Sequence, residues 1–113
     1  MHELGIMISV VETVEKFAKE NGITEIETLV IQIGEISSVV PHFAQACYPA
    51  AIDGTMMENT ELKIEIIPAN CRCNNCSKIF GYVGSRGICP HCEAEDWELL
   101  GGEEFNIKEI VAC

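Results

Sequence analysis

The sequence predicts an α+β fold, two helices packed on a three-stranded sheet, with a small cysteine-rich module inserted before the last strand. Three observations predict it. The hydrophobic period switches between helical and strand spacing in the order helix, strand, helix, strand, cysteine-rich segment, strand. Cys71, Cys73, Cys76, Cys89 and Cys92, five of the seven cysteines, crowd into 22 residues. Finally, 113 residues with 48% hydrophobic content suffice for one real core, whereas a segment of about 30 residues does not and needs a metal or disulfide staple.

The first helix is expected from residue 4 to about 20. Leu4, Met7, Val11, Val14 and Ala18 follow one another at alternating threes and fours, and Val10 and Phe17 widen the stripe. Asn21-Gly22 ends it, with Gly22 supplying the left-handed backbone of a helix C-terminus and Lys16 and Lys19 near the negative end of the dipole. Residues 25–33 then alternate, Leu29, Ile31 and Ile33 against Thr28, Val30 and Gln32, as a strand with one strongly buried face does. Ser37 and Ser38 precede a second helix, about 39–53, with Val40, Phe43, Cys47, Ala50 and Ala51 on its apolar side and Gly54 beyond its end. Pro49 removes a backbone hydrogen bond there, so a kink or an early end is expected. Leu62, Ile64 and Ile66 alternate in the second strand, which Pro68 closes, and Phe105 and Ile107 mark a last strand at about 103–111. The expected domains are 1–68 plus 103–113 for the α/β part and 69–102 for the cysteine-rich module.

Charge narrows the function. Eighteen acids against seven bases give a net charge of −11, so the surface that neutralises nucleic-acid phosphates is missing. Most of that charge, −8, falls in residues 1–69, and residues 70–102 carry −1. No apolar run reaches the roughly 18 residues of a membrane span, and Met1-His2-Glu3-Leu4 places no basic stretch ahead of an apolar one. A soluble, cytoplasmic protein is expected, in which reduced cysteines at this density signal metal or redox chemistry more than disulfides.

The cysteine spacing decides between these. Cys73-Asn74-Asn75-Cys76 and Cys89-Pro90-His91-Cys92 are two C-x-x-C pairs separated by twelve residues. A two-residue spacer turns both sulfurs of a pair towards one ion, and two such turns make the four-thiolate tetrahedral site of a structural, zinc-ribbon-like domain. Gly81, Gly84 and Gly87 lie between the pairs, as turns need, and Phe80 and Tyr82 offer apolar cover. Iron fits the same soft cage, so zinc and iron both stand on geometry. Cys71 is a third sulfur on the first side, but the C-x-x-C register favours Cys73 and Cys76. His91, between two ligands, is expected to point away from the ion. Cys47 fits the apolar side of the second helix as a small hydrophobe, and Cys113 is uninformative.

The amino terminus offers different donors. The terminal amine of Met1, the backbone amide of His2 and the His2 imidazole can form fused chelate rings, and planar nitrogen donors suit Ni(II) or Cu(II) better than Zn(II). Removal of Met1 is not expected before so large a second residue. Met-His-Glu at the start, an amphipathic helix, the strand ending Ile31-Gln32-Ile33-Gly34-Glu35, and the block Ala69-Asn70-Cys71-Arg72-Cys73-Asn74-Asn75-Cys76 followed by Cys89-Pro90-His91-Cys92 together resemble the HypA/HybF family. These are the nickel metallochaperones of NiFe-hydrogenase maturation, and the resemblance spans the whole chain. It implies a nickel-binding α/β domain, with His2 and nearby backbone nitrogens of Met1 and its neighbours as ligands and Glu3 as the assisting acid. It implies a zinc domain whose ligands are Cys73, Cys76, Cys89 and Cys92. Pro49, Cys71 and Cys113 have no counterpart role in the family.

The resemblance further implies a carrier and not an enzyme: Ni(II) is cargo and Zn(II) is structural. No G-x-x-x-x-G-K-[ST] loop is present, so nucleotide-driven release falls to a separate protein. By the resemblance that protein is the GTPase HypB, with the hydrogenase large-subunit precursor as recipient and urease maturation proteins as further partners of some relatives. Exposed edge strands or exchange of the last strand leave monomer and homodimer both open. Two other classes compete. A zinc-ribbon module for proteins or nucleic acid is opposed, for nucleic acid, by Glu93-Ala94-Glu95-Asp96-Trp97-Glu98, which repels phosphate. A rubredoxin-like electron carrier leaves the α/β part without a purpose.

Overall fold

The protein is described from a computed structural model, over residues 2–113. Helix α1 (Glu3–Glu20) buries Met7, Val10, Val11, Val14 and Ala18 of the expected stripe, while Leu4 is only half-buried and Phe17 stays half exposed on its flank. Its end is a Schellman turn. Gly22 adopts φ +68° and donates to the Lys19 carbonyl, and the Ile23 N–H donates to the Ala18 carbonyl at 2.8 Å.

Strand β1 (Ile26–Gly34) departs from the expected single buried face. Leu29, Ile31 and Ile33 are fully buried, but Thr28 and Val30 on the opposite face are buried too. β1 is the central strand of its sheet, between β2 (Glu61–Ile67) and β6 (Phe105–Ala112), and the side chains of Lys63, Glu65, Glu109 and Val111 on those strands stand beside Thr28 and Val30 on that face.

Helix α2 (Pro41–Ile52) corrects three expectations. It is not capped by Ser37 or Ser38. Its cap residue is Val40, in an extended conformation without a side-chain cap, and the start is set by Pro41, whose missing N–H costs nothing at the first helical position. Its buried residues are Ala44, Cys47, Tyr48, Ala51 and Ile52, so Val40, Phe43 and Ala50 fall outside the buried face. Of the kink or early end expected at Pro49, the early end does not occur: the helix runs on to Ile52. α2 packs on α1, and the Tyr48 hydroxyl donates to the Thr60 carbonyl at 3.0 Å while the Thr60 hydroxyl donates to the Ile26 carbonyl at 2.7 Å.

Strand β2 (Glu61–Ile67) follows. Next come three strands too short for their period to be read from sequence, β3 (Asn70–Cys73), β4 (Ile79–Gly81) and β5 (Trp97–Leu99), paired antiparallel in the order β4-β3-β5. Strand β6 (Phe105–Ala112) closes the chain and returns to the first sheet. Architecturally this is the α+β arrangement of two helices and two small sheets, the second carrying the cysteine-rich insertion.

The chain divides into two compact units. The first comprises Met1–Gln32, Val39–Glu65 and Asn106–Cys113, and the second Ile33–Ser38 and Ile66–Phe105. Inside the second, Gly34 and Gly102 meet backbone to backbone. Gly34 donates to the Glu104 carbonyl at 2.6 Å, Ile36 donates to the Gly102 carbonyl at 2.8 Å, and the Glu35 carboxylate accepts from the Ala69 N–H at 2.9 Å.

Candidate metal centres

The two C-x-x-C pairs fold as two copies of one turn. In the first, Ser77 N–H donates to Cys73 O at 2.9 Å and Cys73 N–H to Lys78 O at 2.9 Å. In the second, Glu93 N–H donates to Cys89 O at 2.8 Å and Cys89 N–H to Ala94 O at 2.9 Å. The residue after each pair, Ser77 or Glu93, takes a left-handed conformation at φ +65°, which a non-glycine residue adopts rarely and at a cost. The sequence expectation placed the turn residues at Gly81, Gly84 and Gly87 instead. Gly84 and Gly87 do sit at positive φ in the connecting loop, but Gly81 does not serve a turn: it lies in β4.

The turns bring Cys73, Cys76, Cys89 and Cys92 together, their four sulfurs all within 4.8 Å of one another. Cys73 Sγ is 3.5 Å from Cys92 Sγ, and Cys76 Sγ is 3.7 Å from Cys89 Sγ. Four thiolates bound tetrahedrally at about 2.3 Å from one ion stand about 3.8 Å apart, so the donor set fits zinc in both chemistry and size. Cys73 and Cys89 are buried, whereas Cys76 and Cys92 are half-buried. Donors aim at the sulfurs. Cys73 Sγ accepts from the Asn75 and Cys76 backbone N–H groups at 3.4 and 3.5 Å, and the Asn75 side-chain amide reaches across to Cys92 Sγ at 3.4 Å. That amide, with the Ala94 backbone N–H, holds the Cys92 thiol down at about 6. Asn75 thus links one turn to the other, a role that its place between two cysteines does not reveal.

Strand geometry keeps Cys71 out of this cage. It shares the inward face of β3 with Cys73, but two residues along a strand is about 6.6 Å, and it lies between Phe80 on β4 and Leu99 on β5 in register. There it is fully buried, and burial pushes its thiol up from the ordinary range. Arg72, facing outward between the two cysteines, pairs with Glu98 on β5. Cys47 is buried in α2, and Cys113 and His91 are exposed.

His2, with its imidazole and its backbone nitrogen, stands at the head of α1 as the residue before Glu3. Met1 lies outside the described residues. His2 keeps its side chain 59% exposed, with Nε2 3.7 Å from Glu3 Oε2. Glu3 is buried, a feature that no periodicity predicts for an acid in the first turn. Its carboxylate accepts from the Val40 N–H at 3.4 Å, which ties the start of α1 to the start of α2. Its own backbone N–H, with the Val40 N–H and the neighbouring imidazole, holds the carboxyl below the usual range against the desolvation that burial imposes. The result is an exposed imidazole beside a fixed carboxylate.

Among known proteins, the family model described as "Hydrogenase/urease nickel incorporation, metallochaperone, hypA" matches residues 1–112. The hydrogenase maturation factor HypA of Geobacter sulfurreducens is 36% identical over 110 residues, covering 97% of each chain. That of Chlorobium limicola is 34% identical over 110 residues, covering 97% of this chain and 95% of its own. The solution structure of the nickel metallochaperone HypA from Helicobacter pylori superposes with a TM-score of 0.67 at 23% identity, over 99% of this chain and 97% of that one. A second HypA solution structure gives 0.71 at 23% identity, over 100% and 97%. These two confirm the fold. The chain therefore belongs to the HypA family of nickel-incorporation metallochaperones, a family of carriers and not of enzymes.

Proposed function

We propose that this chain binds Ni(II) at its amino terminus and delivers it to the large-subunit precursor of a NiFe hydrogenase, with the four-cysteine site holding structural zinc. His2 supplies the imidazole and a backbone nitrogen, Met1 the amine, and Glu3 assists from beside them. Cys73, Cys76, Cys89 and Cys92 are the zinc ligands. The observation that carries the nickel reading is the exposed His2 imidazole at the head of α1, set beside a carboxylate that is fixed by Val40. An accessible, few-donor site suits an ion that must be handed on, whereas a half-buried cage with four soft donors suits one that stays. The nickel domain corresponds to residues 1–68 plus 103–113 and the zinc domain to 69–102. HypB is the partner that couples nucleotide hydrolysis to transfer, the family description supports urease as a second destination, and the work is done in the cytoplasm.

Titration with Ni(II) tests this directly. The untagged chain is expected to bind about one nickel with the weak d–d band of planar nitrogen donors, while His2→Ala and a chain extended by one residue before Met1 lose that band. Equal binding by all three proteins, or by none, removes the amino-terminal site. Metal analysis of the anaerobically purified protein decides the cage: colourless protein with one zinc is expected, and a red chromophore establishes iron instead.

A further inference from the structure

The second unit carries one segment whose chemistry its own fold does not use. β4 and the loop after it, residues 78–88, hold Ile79, Tyr82, Val83 and Ile88 with 50%, 37%, 60% and 42% of their surface in solvent. Exposed apolar residues this concentrated in a small domain mark an interaction surface more than chance does. The segment is rigid. Ser85 N–H and Oγ both donate to the Tyr82 carbonyl, Ile88 N–H donates to the Ser85 carbonyl, and Gly87 N–H donates to Ser85 Oγ. Trp97 clamps it, with Nε1–H donating to the Gly87 carbonyl at 2.9 Å and its ring edge-on to Tyr82 at 5.5 Å. Arg86 is held at φ +58°, a left-handed conformation that an arginine adopts only where its surroundings impose it.

Charge selects the occupant. Within 78–88 the only charged residues are Lys78 and Arg86, two cations in a chain of net charge −11. Among the described residues neither forms an ion pair, whereas Arg72 is paired with Glu98 and Lys108 with Glu65. The acid-rich stretch 93–98 is already engaged inside the same unit. Asp96 accepts from Asn74, Glu98 pairs with Arg72, and Trp97 packs in the core, so a second copy has no free acidic-apolar segment there to offer. We infer that residues 78–88 form a preorganised docking surface for an acidic segment of another protein that also carries apolar side chains. Ile79, Val83 and Ile88 take its apolar groups and Lys78 and Arg86 its carboxylates. This surface does not depend on the nickel reading.

The test uses the metal-loaded chain and a short fluorescein-labelled peptide of Asp, Glu, Leu and Phe, with a control in which Lys replaces the acids. Fluorescence anisotropy and amide proton–nitrogen spectra are read together. The acidic peptide is expected to bind, more weakly as salt rises, and to move the resonances of residues 78–88. Val83→Asp and Arg86→Gln are each expected to weaken binding about tenfold or more, a loss of about 1.4 kcal/mol. Both are expected to keep wild-type Trp97 fluorescence and nickel titration, because each changes an exposed side chain that forms no hydrogen bond or ion pair among the described residues. The proposal is overturned by any of four results: no binding, equal binding of the basic peptide, shifts confined to other residues, or self-association of the chain through 78–88.

Discussion

Tyr48 shows how one buried hydroxyl sets a limit on stability. Buried on the inner face of α2 and donating to the Thr60 carbonyl, its hydroxyl is pushed by burial from the ordinary 10 up to about 12. The folded state then keeps a proton that the unfolded chain loses, so the stabilisation is complete below about pH 10 and disappears as pH rises towards 12. Tyr48→Phe is expected to cost about 1–2 kcal/mol at neutral pH, since the Thr60 carbonyl loses its donor, and to flatten the decline above pH 10. Urea denaturation at pH 7 and at pH 10.5 measures both effects, and an unchanged alkaline slope removes Tyr48 as the cause. At this scale the sequence was legible where chemistry is local. C-x-x-C spacing pointed to Cys73, Cys76, Cys89 and Cys92, and an apolar helix position pointed to a buried Cys47. It was silent where burial depends on residues far along the chain: Glu3 is buried because Val40, 37 positions on, stands over it.

Elements were legible in proportion to their length. α1 and β1 have several periods each and fell within a residue or two of their expected limits, but β3, β4 and β5 have three or four residues and show no period at all. α2 was found with a start two residues early and with only Cys47 and Ala51 of its expected face buried, because the serines before it mimic a cap and because the observed buried face also takes Ala44 and Tyr48 in place of Phe43. Glycines separate these effects experimentally. Gly5 lies within α1 with nothing within 4 Å of the position a β-carbon would take, so Gly5→Ala is expected to add about 0.5–1 kcal/mol by removing backbone freedom from the unfolded chain. Gly34 is the opposite case. A β-carbon there collides with the backbone of Gly102 and Glu103, which cannot yield as a side chain would, so Gly34→Ala is expected to lose about 3 kcal/mol or more. Thermal unfolding of the two variants beside wild type reads both signs. A tolerated Gly34→Ala means the crossing is looser than described.

At the scale of the molecule, the two units draw on different sources of stability. The first has an apolar core of ordinary make-up, with Met7, Leu29, Ile31 and Val11 fully buried. Around the metal site the second has a small cluster, Cys71, Cys73, Phe80 and Cys89, with Trp97 and Leu99 against it, and three of those four buried residues are cysteines. Such a cluster buries too little carbon to offset chain entropy, so the ion's binding free energy is the folding free energy of the module. Spectroscopy can follow each unit by itself. Both helices belong to the first unit, and the single tryptophan, Trp97, belongs to the second, its ring edge-on to Phe80 at 6.3 Å. Excess chelator under reducing conditions is therefore expected to shift Trp97 emission to the red and expose Cys73, Cys76, Cys89 and Cys92 to thiol reagents, while most helical ellipticity persists. Readdition of Zn(II) is expected to reverse the shift. Acidification acts in the same direction, because protons compete with the ion for the thiolates and metal affinity falls as the pH is lowered. Joint loss of Trp97 signal and helix in a single transition means that the units fold as one, and an unmoved Trp97 means that the metal is not what holds the module.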